Sequence, residues 1–494
     1  MSEVTTAWKD VSKYFVCSVL ACYAISLHFG FYSWILYSPE VLVYFFFNVS
    51  DPEELPDQST QLFFLELAID VFPLGALIGS LSSGYIGDRF GRKGSLVVTN
   101  FLSITSVIFL ACDTELYVYE FTICAHLLTG VCLGVNLCIM YVYLFEISPR
   151  CIRGGVVMLS DSFVKLGNVI AQILTFPSNI GHKNGWYLMV ILAAIIPLAL
   201  TFLLPRIPES PSYLLIQKED EEAARNVLCR LRVTGDVEQE IEELQQENLS
   251  EKEEKKTDII HLGKISNVTW SHFCMVVIMA GTQLSGFHEF YYHNYEILRS
   301  TELTYKTMWL LKIGISFLLC FTSMLAAYLV DHLGRRILFL SGLAICTVSL
   351  ILMVVVLEIL RYQKTSLLNY FCVSLLVIFI AAFCMGPNII SVIISLELFL
   401  QSSRASAFAI AGFEYCAANI FLTLMHGKMK KELGSYSLLF FSPFCVAVFI
   451  FFYLYIPETK NQTLKDIRKV MEKQKSGKVQ VNIDKARKNL GIIF

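Results

Sequence analysis

The amino-acid sequence predicts an all-α integral membrane protein with twelve transmembrane helices, arranged as two parallel six-helix halves with a cytosolic helical linker. Three observations support this fold class. Apolar runs of membrane-spanning length recur along the chain, basic residues concentrate in alternate loops, and the second half repeats motifs of the first. The 494 residues are 55% hydrophobic and 16% charged, and the mean hydropathy is +0.58. This composition is too apolar for a soluble protein of this size.

The apolar segments are long enough to cross a bilayer, which takes about 20 residues of helix. We predict spans at 14–37, 61–87, 95–112, 118–145, 156–176, 186–205, 271–298, 306–330, 337–357, 366–396, 405–428 and 436–456. The first residues, MSEVTTAWKDVSKY, are polar and mixed in charge, so we expect no cleavable signal peptide.

Basic residues mark one side of the membrane. Arg89, Arg92 and Lys93 follow the second span, and Arg335 and Arg336 follow the eighth. Because such loops face the cytosol, we expect both termini there. The expected location is the plasma membrane. The predicted regions are a cytosolic N-terminus (1–13), an N-terminal six-helix half (14–205), a cytosolic helical linker (206–270), a C-terminal six-helix half (271–456) and a cytosolic C-terminal tail (457–494).

Three motifs occur twice, in the same order. The pairs are GYIGDRFGRK (84–93) with AYLVDHLGRR (327–336), EISPRCIR (146–153) with ELFLQSSR (397–404), and PES (208–210) with PET (457–459). In the second pair the acid and the arginine are seven residues apart, which places them on one helical face. The second half is therefore a duplicate of the first, and the halves have equal orientation.

The motifs resemble those of the sugar-porter family of the major facilitator superfamily, the facilitative hexose transporters and their proton-coupled relatives. The similar segments are GDRFGRK, YLFEISPRCIRGG, PESPSYLL, QLSGFHEFYY, DHLGRR, LELFLQSSRASAFAIAGF and PETKNQTL, and they cover about residues 14 to 465. The resemblance implies a carrier that works by alternating access and binds its solute between the two halves.

The resemblance also implies a gating network of ion pairs on the cytosolic side. Carboxylates and guanidiniums at helix ends can form bidentate pairs, and water lets such pairs separate at modest cost. The implied network consists of Asp88, Arg89, Arg92, Glu146, Arg153, Glu209, Arg335, Arg336, Glu397, Arg404 and Glu458. Topological anchoring without gating is the alternative role for these residues.

The segment QLSGFHEFYYHNYE, residues 283–296, brings many polar groups into an apolar span. On a continuous helix over 271–298, one stripe would contain Thr282, Ser285, Glu289, Tyr292, His293 and Glu296, and a neighbouring stripe His288, Tyr291 and Tyr295. Ionisable groups that face lipid cost at least about 2.5 kcal/mol each near the midplane, so both stripes should face the bundle interior. Gly281 and Gly286 favour a local break in this helix.

The resemblance implies that this region binds a sugar. Asp161, Thr282, Gln283, His288 and Tyr415 stand at family contact positions, and the polar stripe adds Glu289 and Tyr292 to the predicted substrate-binding residues. Gln283 matches a sugar-contact glutamine of the family, whereas Asp161, Thr282 and His288 stand where the family has amides. Further family contact positions are changed at Leu319, Cys384, Val392, Tyr415 and Cys416. The solute is therefore a hexose, another polyol or an organic ion.

Several charges lie inside the predicted spans. Asp161 and Lys165 are one turn apart and can neutralise each other. We expect Lys312 to pair with His293 or Glu296. Two acids have no obvious cation and could be neutral hydrogen bonders, substrate ligands or proton carriers; these are Glu289 and Glu414.

Proton-coupled members of the family usually carry an acid in the first span and an arginine in the fourth, where this chain has Tyr32 and His126. We therefore favour a facilitative carrier. The alternatives are a proton-coupled carrier, an organic-ion carrier and a transport-deficient sensor. The partners are then a small solute and the bilayer, without nucleic acid.

Asn48-Val-Ser in the first outward loop predicts a glycosylation site. The 15 cysteines lie mostly in apolar runs, without the spacing of a zinc site, and we interpret them as packing residues. We expect no cofactor, no metal and no enzymatic activity.

Overall fold

The computed structural model shows a bundle of α-helices. It describes Trp8 and residues 10–37, 59–116, 119–176, 183–233, 237–260, 267–292, 305–363, 365–399, 401–462, 466–467 and 469–471. For some residues in these ranges, including His288, Glu289 and Tyr292, only the backbone is described. Within this part of the chain, extended pairing is limited to an isolated antiparallel bridge between Val11 and Arg232.

The helices follow the predicted order. Those of the first half are α1 (Lys13–Tyr37), α2 (Ser59–Leu116), α3 (Tyr119–Ile147), α4 (Arg153–Leu174) and α5 (Lys183–Leu203). The linker contains α6 (Glu221–Leu231) and α7 (Glu238–Ile260). The second half contains α8 (Asn267–Gln283), α9 (Phe287–Tyr292), α10 (Tyr305–Leu333), α11 (Arg335–Tyr362), α12 (Ser366–Met385), α13 (Pro387–Leu398), α14 (Gln401–Leu433) and α15 (Ser442–Tyr455).

Ten helical stretches in the described residues are long and apolar enough to cross a membrane. One of them, Val71–Cys112 within α2, contains two predicted spans, because Gly91 breaks the helix with φ 79° and ψ 177°. Another predicted span is divided between α8, which has 17 residues, and the six-residue α9. The twelve predicted spans therefore all correspond to helices, and the predicted fold class is confirmed.

The predicted break in the seventh span is also confirmed. Helix α8 ends at Gln283 and α9 begins at Phe287. Between them Gly286 has φ +86°, which glycine adopts without steric cost, and a Cβ there would lie 2.7 Å from the ring of Phe441. The break interrupts the predicted continuous stripes between Thr282 and the residues of α9. His293 and Glu296 lie outside the described residues.

The exterior of the bundle is rich in large apolar side chains. Phe202 is 69% exposed and Phe321 is 65% exposed, and many others on the spans are about half-exposed. Such a continuous apolar surface fits contact with lipid rather than water. The two halves meet mainly where α4 packs on α10 and where α2 packs on α14.

The linker packs at one end of the bundle, which we call the linker end. Its helix α6 is capped by Asp220, whose Oδ1 accepts a hydrogen bond from the Ala223 N–H at 2.9 Å. The Arg232 guanidinium donates to the Ile147 carbonyl at 3.2 Å, which fixes the linker beside the end of α3. The backbone N–H of Ser12 donates to the Leu231 carbonyl at 3.0 Å, so the start of α1 lies at the same end.

Candidate functional site

A cavity lies between the two halves and is lined by both. It contains about 1240 Å³ of empty space, including a part open to solvent. Its walls are largely apolar, and four phenylalanines contribute, namely Phe29, Phe72, Phe287 and Phe408. The polar side chains that line it are Ser33, Tyr141, Asp161, Lys165, Gln283, Asn388, Ser391, Tyr415 and Asn419. Apolar walls with a few convergent polar groups are typical of sites for small molecules.

Asp161 and Lys165 form a buried ion pair on the α4 side of the cavity. Lys165 Nζ lies 3.5 Å from Asp161 Oδ1, and each side chain is 8% exposed. The second carboxylate oxygen accepts a hydrogen bond from Ser323 Oγ of α10 at 2.9 Å. Lys165 Nζ also lies 5.5 Å from the ring centre of Phe287 and 5.4 Å from that of Tyr291. The predicted pairing of these two charges is confirmed.

A polar stripe runs along α4 and contacts the second half. It consists of Asp161, Lys165, Asn168 and Gln172, whose spacings of four and three place them on one helical face. Asn168 Nδ2 donates to the Tyr291 hydroxyl at 3.1 Å. Gln172 Nε2 donates to Ser316 Oγ of α10 at 2.7 Å. The α4 stripe therefore ties the halves together beside the cavity.

In the first half, a buried arginine organises the linker end. Arg92 is fully buried, and its Nε lies 3.2 Å from Glu146 Oε2, while its Nη1 lies 3.8 Å from Asp88 Oδ1. The backbone N–H groups of Arg92 and Lys93 donate to Glu209 at 2.9 and 3.0 Å. Burial raises the pKa of the Glu209 carboxyl, and these N–H donors oppose that shift.

The second half repeats this arrangement around Arg335. Its Nη2 lies 2.9 Å from Glu397 Oε1, and its Nη1 lies 3.3 Å from Asp331 Oδ1. The backbone N–H groups of Arg335 and Arg336 donate to Glu458 at 2.9 and 3.0 Å. The repeated motifs therefore build two equivalent clusters.

Among the described residues, an ion pair and a hydrogen bond connect the halves at the linker end. Arg404 Nη1 of the second half lies 3.5 Å from Glu146 Oε1 of the first. In the other direction, the Gly155 N–H donates to Asp331 Oδ2 at 2.7 Å. Both carboxylates also bind the arginine of their own half, so these contacts couple each cluster to the opposite half.

The acidic face of α7 binds arginines from three places. The pairs are Arg232–Glu240 at 2.8 Å, Arg150–Glu243 at 3.0 Å and Arg404–Glu247 at 3.3 Å. Spacings of three and four residues put the three glutamates on one helical face. Burial raises the pKa of the Glu243 carboxyl, and the charge of Arg150 opposes this shift. The linker helix therefore contacts both halves.

Residues 14–471 match the family described as sugar (and other) transporter. The chain belongs to this family of membrane transporters. It is 30% identical to the horse (Equus caballus) solute carrier family 2, facilitated glucose transporter member 5, over 93% of this chain and 92% of the relative. It is 31% identical to human (Homo sapiens) member 7 of the same solute carrier family, over 93% and 90%.

The fold of this sugar-transporter family member is similar to that of XylE, a major facilitator superfamily proton:xylose symporter solved with 6-bromo-6-deoxy-D-glucose bound. The TM-score is 0.79 at 20% identity, covering 93% of this chain and 99% of the symporter. The family resemblance stated from the motifs is thereby confirmed, together with the major facilitator fold.

The structure places the predicted substrate-binding residues differently. Asp161, Gln283 and Tyr415 line the cavity. Thr282 is fully buried, donates its hydroxyl to the Met279 carbonyl at 2.9 Å and does not line the cavity. The backbones of His288, Glu289 and Tyr292 lie in α9, beside the cavity-lining Phe287, and their side chains are outside the description.

The other intramembrane charges have different surroundings. Lys312 Nζ lies 5.6 Å from the ring centre of Trp309, and its predicted partners, His293 and Glu296, lie outside the described residues. Glu414 Oε2 is buried and has no hydrogen-bond partner among the residues that the structure describes. Asn48 also lies outside the described residues, so the glycosylation site stays a prediction.

The predicted network residues mostly form ion pairs or accept and donate hydrogen bonds at the linker end, and two of them contact aromatic rings instead. Arg89 contacts the rings of Tyr85 and Phe90 at 5.8 and 5.7 Å. Arg153 lies 4.2 Å from the ring centre of Phe145 and forms no ion pair within the described part of the chain. The remaining members take part in the two clusters or in the contact between them.

Sequence reasoning missed several residues of the cavity and the linker end, and four of them illustrate why. Asp331 is the counterpart of Asp88 in the repeated motif, and that correspondence could have identified it. Asn168 and Gln172 continue the polar spacing that starts at Asp161. Glu247 had no distinguishing signal, because it is one of many acids in the linker.

Proposed function

We propose that this transporter is a facilitative carrier that moves a hexose or a similar small polar solute by alternating access. The observation that carries the proposal is the cavity between the halves, which is lined by polar groups from both. We propose that both termini lie in the cytosol, because the basic loops lie at the linker end. We also propose residence in the plasma membrane, which no feature of the structure addresses.

The solute contacts are assigned to the polar residues of the cavity and of α9. Asp161, Gln283 and Tyr415 line the space directly. Thr282, His288, Glu289 and Tyr292 belong to the proposed set through their position at the break between α8 and α9. Amide, hydroxyl and carboxylate groups together supply the donors and acceptors that a sugar requires.

We assign closure of the linker end to the gating network that the sequence analysis predicted, together with Asp331 and Glu247. Glu146 and Arg404 connect the halves there at 3.5 Å, and the Gly155 N–H donates to Asp331. Opening of the cavity to the cytosol would separate these partners. The side chains of Glu146 and Arg404 are 0% and 7% exposed in this state, so opening must admit water to both groups as they separate.

Two observations favour facilitated diffusion over proton coupling. Two relatives that are 30% and 31% identical to this chain are named as facilitated glucose transporters. In addition, Tyr32 stands where proton-coupled relatives usually carry an acid, and its hydroxyl is buried 3.4 Å from Ser106 Oγ. A tyrosine hydroxyl stays protonated at neutral pH and cannot exchange protons as a carboxyl does.

Counterflow in proteoliposomes tests the proposal. Vesicles loaded with unlabelled D-glucose or D-fructose should accumulate the labelled sugar transiently, and the vesicle pH should stay constant during uptake. Vesicles without protein serve as the control. Sugar binding without exchange would identify a sensor and contradict the carrier, whereas internal acidification on addition of sugar would contradict facilitated diffusion.

A further inference from the structure

A second cavity lies at the linker end, and we call it the linker-end cavity. Its volume is about 470 Å³, which includes space open to solvent, and its described lining shares no residue with that of the solute cavity. Arg153 of the first half, Arg404 of the second, Glu247 of the linker helix α7 and Thr459 after α15 all line it. A ligand in this cavity would therefore contact both halves and the linker at once.

Two hydrogen-bond donors in this lining have no partner among the described residues. Arg153 Nε and Thr459 Oγ1 are both buried, and neither forms a hydrogen bond. Thr459 is only 1% exposed. Because a buried polar group without a partner lowers stability, such groups in a native fold call for an explanation. A ligand with acceptor atoms would satisfy both donors.

The arginines at this cavity favour an anion. The guanidiniums of Arg153 and Arg404 lie 4.2 and 5.0 Å from the ring centre of Phe145. Arg404 also pairs with Glu146 and Glu247, whereas no described acid forms an ion pair with Arg153. Like charges at short separation repel each other, and more strongly where little water screens them. An anion beside Arg153 would relieve this repulsion.

An unused acceptor in the lining narrows the choice of anion. Glu397 Oε1 accepts from Arg335 at 2.9 Å, whereas its Oε2 is buried without a hydrogen-bond partner among the described residues. Since an ionised carboxylate only accepts, a matching ligand must supply a donor in addition to its acceptors. Inorganic phosphate keeps a protonated oxygen at neutral pH, and sulfate does not. The lining therefore favours phosphate over sulfate.

We propose that the linker-end cavity is a regulatory site for inorganic phosphate, in which Arg153 and Thr459 donate to the phosphate oxygens and the P–O–H group donates to Glu397. Arg153 belongs to the first half, and the other two residues belong to the second. Because opening of the linker end would separate the halves, it would also dismantle the site. Phosphate then binds the state with a closed linker end and shifts the population toward that state.

Thermal unfolding of the full-length protein in detergent, titrated with sodium phosphate or sodium sulfate at neutral pH and constant ionic strength, measures binding. A ligand that binds the folded state raises the unfolding midpoint with its concentration. The Kd of the parent should be about tenfold lower for phosphate than for sulfate. Arg153→Gln and Thr459→Val should each raise the phosphate Kd about tenfold.

A matched control separates this site from general salt effects on stability. Thr105→Val makes the same chemical change on an exposed part of α2 and should keep the parent's phosphate Kd. Thr459→Val keeps the shape of the side chain and removes no hydrogen bond of the described structure, so we expect this variant to fold.

Glu397→Gln tests the assignment of the acceptor. The amide oxygen can keep the contact with Arg335, and the amide nitrogen then presents N–H donors to the cavity. Sulfate should now bind as tightly as phosphate, so the tenfold difference between their Kd values should disappear. A variant that keeps the parent's preference would overturn the proposed hydrogen bond from phosphate to Glu397.

Sugar counterflow in proteoliposomes tests the consequence for transport. Phosphate on both sides of the membrane should slow exchange by the parent severalfold relative to sulfate, and should not slow Thr459→Val. Phosphate binding that leaves the parent's exchange rate unchanged would overturn the regulatory role.

The outcomes distinguish this proposal from the proposed function. Equal Kd values for phosphate and sulfate in the parent, or an unchanged phosphate Kd in both Arg153→Gln and Thr459→Val, would overturn the site and leave the carrier intact. A parent that binds phosphate with the predicted preference but exchanges no sugar would support the site and overturn the proposed function.

Discussion

The two charged clusters at the linker end are built alike within each half. Arg92 lies 3.2 Å from Glu146, and Arg335 lies 2.9 Å from Glu397. In each cluster another glutamate, Glu209 or Glu458, accepts hydrogen bonds from two consecutive backbone N–H groups. The repeated sequence therefore determines the same geometry twice.

The clusters differ where they contact the opposite half. Glu146 binds Arg92 and also Arg404 of the second half, whereas Glu397 binds Arg335 alone among the described ion pairs. For the aspartates, Asp88 and Asp331, it is the residue of the second half that contacts the opposite half. The side chain of Asp88 is 42% exposed, but that of Asp331 is 7% exposed and accepts from Gly155 across the halves. Duplication thus preserved contacts within a half, and contacts between halves diverged.

Glu146→Gln should have the largest effect in this comparison. The fully buried Glu146 carboxylate serves two guanidiniums. Removal of its charge leaves Arg92 with the half-exposed Asp88 at 3.8 Å and Arg404 with the partly exposed Glu247 at 3.3 Å. We expect a loss of about 3–5 kcal/mol in the free energy of unfolding. The matched change Glu397→Gln should cost less, because Arg335 keeps Asp331 at 3.3 Å.

Equilibrium unfolding of both variants in detergent micelles measures the two losses. Equal losses would contradict the asymmetry between the clusters. A larger loss in Glu397→Gln would show that the crossing contact of Glu146 contributes nothing to stability.

Asp331→Asn and Asp88→Asn should differ in their loss of unfolding free energy, but by less than the two glutamate variants do. Asp331 is buried between Arg335 and the Gly155 N–H, and the loss of its charge should cost about 1–3 kcal/mol. Asp88 lies 3.8 Å from Arg92 and is half-exposed, so its substitution should cost less than about 1 kcal/mol. The same unfolding assay applies, and an Asp88→Asn loss as large as that of Asp331→Asn would contradict the proposed crossing role.

The elements that local sequence patterns encode were predicted well. Apolar length predicted the spans, and Gly286 predicted the break between α8 and α9. The one-turn spacing of Asp161 and Lys165 predicted their ion pair, because i, i+4 neighbours share a helical face.

Contacts between the halves were harder to predict, because helix periodicity does not specify how two lobes pack. Ser323 binds Asp161, and Glu247 binds Arg404, although each pair is far apart in the sequence. The place of Thr282 in the motif predicted a solute contact, and this contact stays a prediction. The structure adds that the Thr282 hydroxyl donates to the Met279 carbonyl at the end of α8.

The most direct test of alternating access is the accessibility of Asn388, which lines the cavity. Asn388→Cys, in a protein whose native cysteines are replaced, would be treated with a membrane-impermeant thiol reagent from either side. We predict labelling of the otherwise intact carrier from the side opposite the linker end, and labelling from the linker side once Arg404→Met removes the bridge to Glu146. Labelling from neither side in both proteins would contradict a cavity that opens alternately between the two halves.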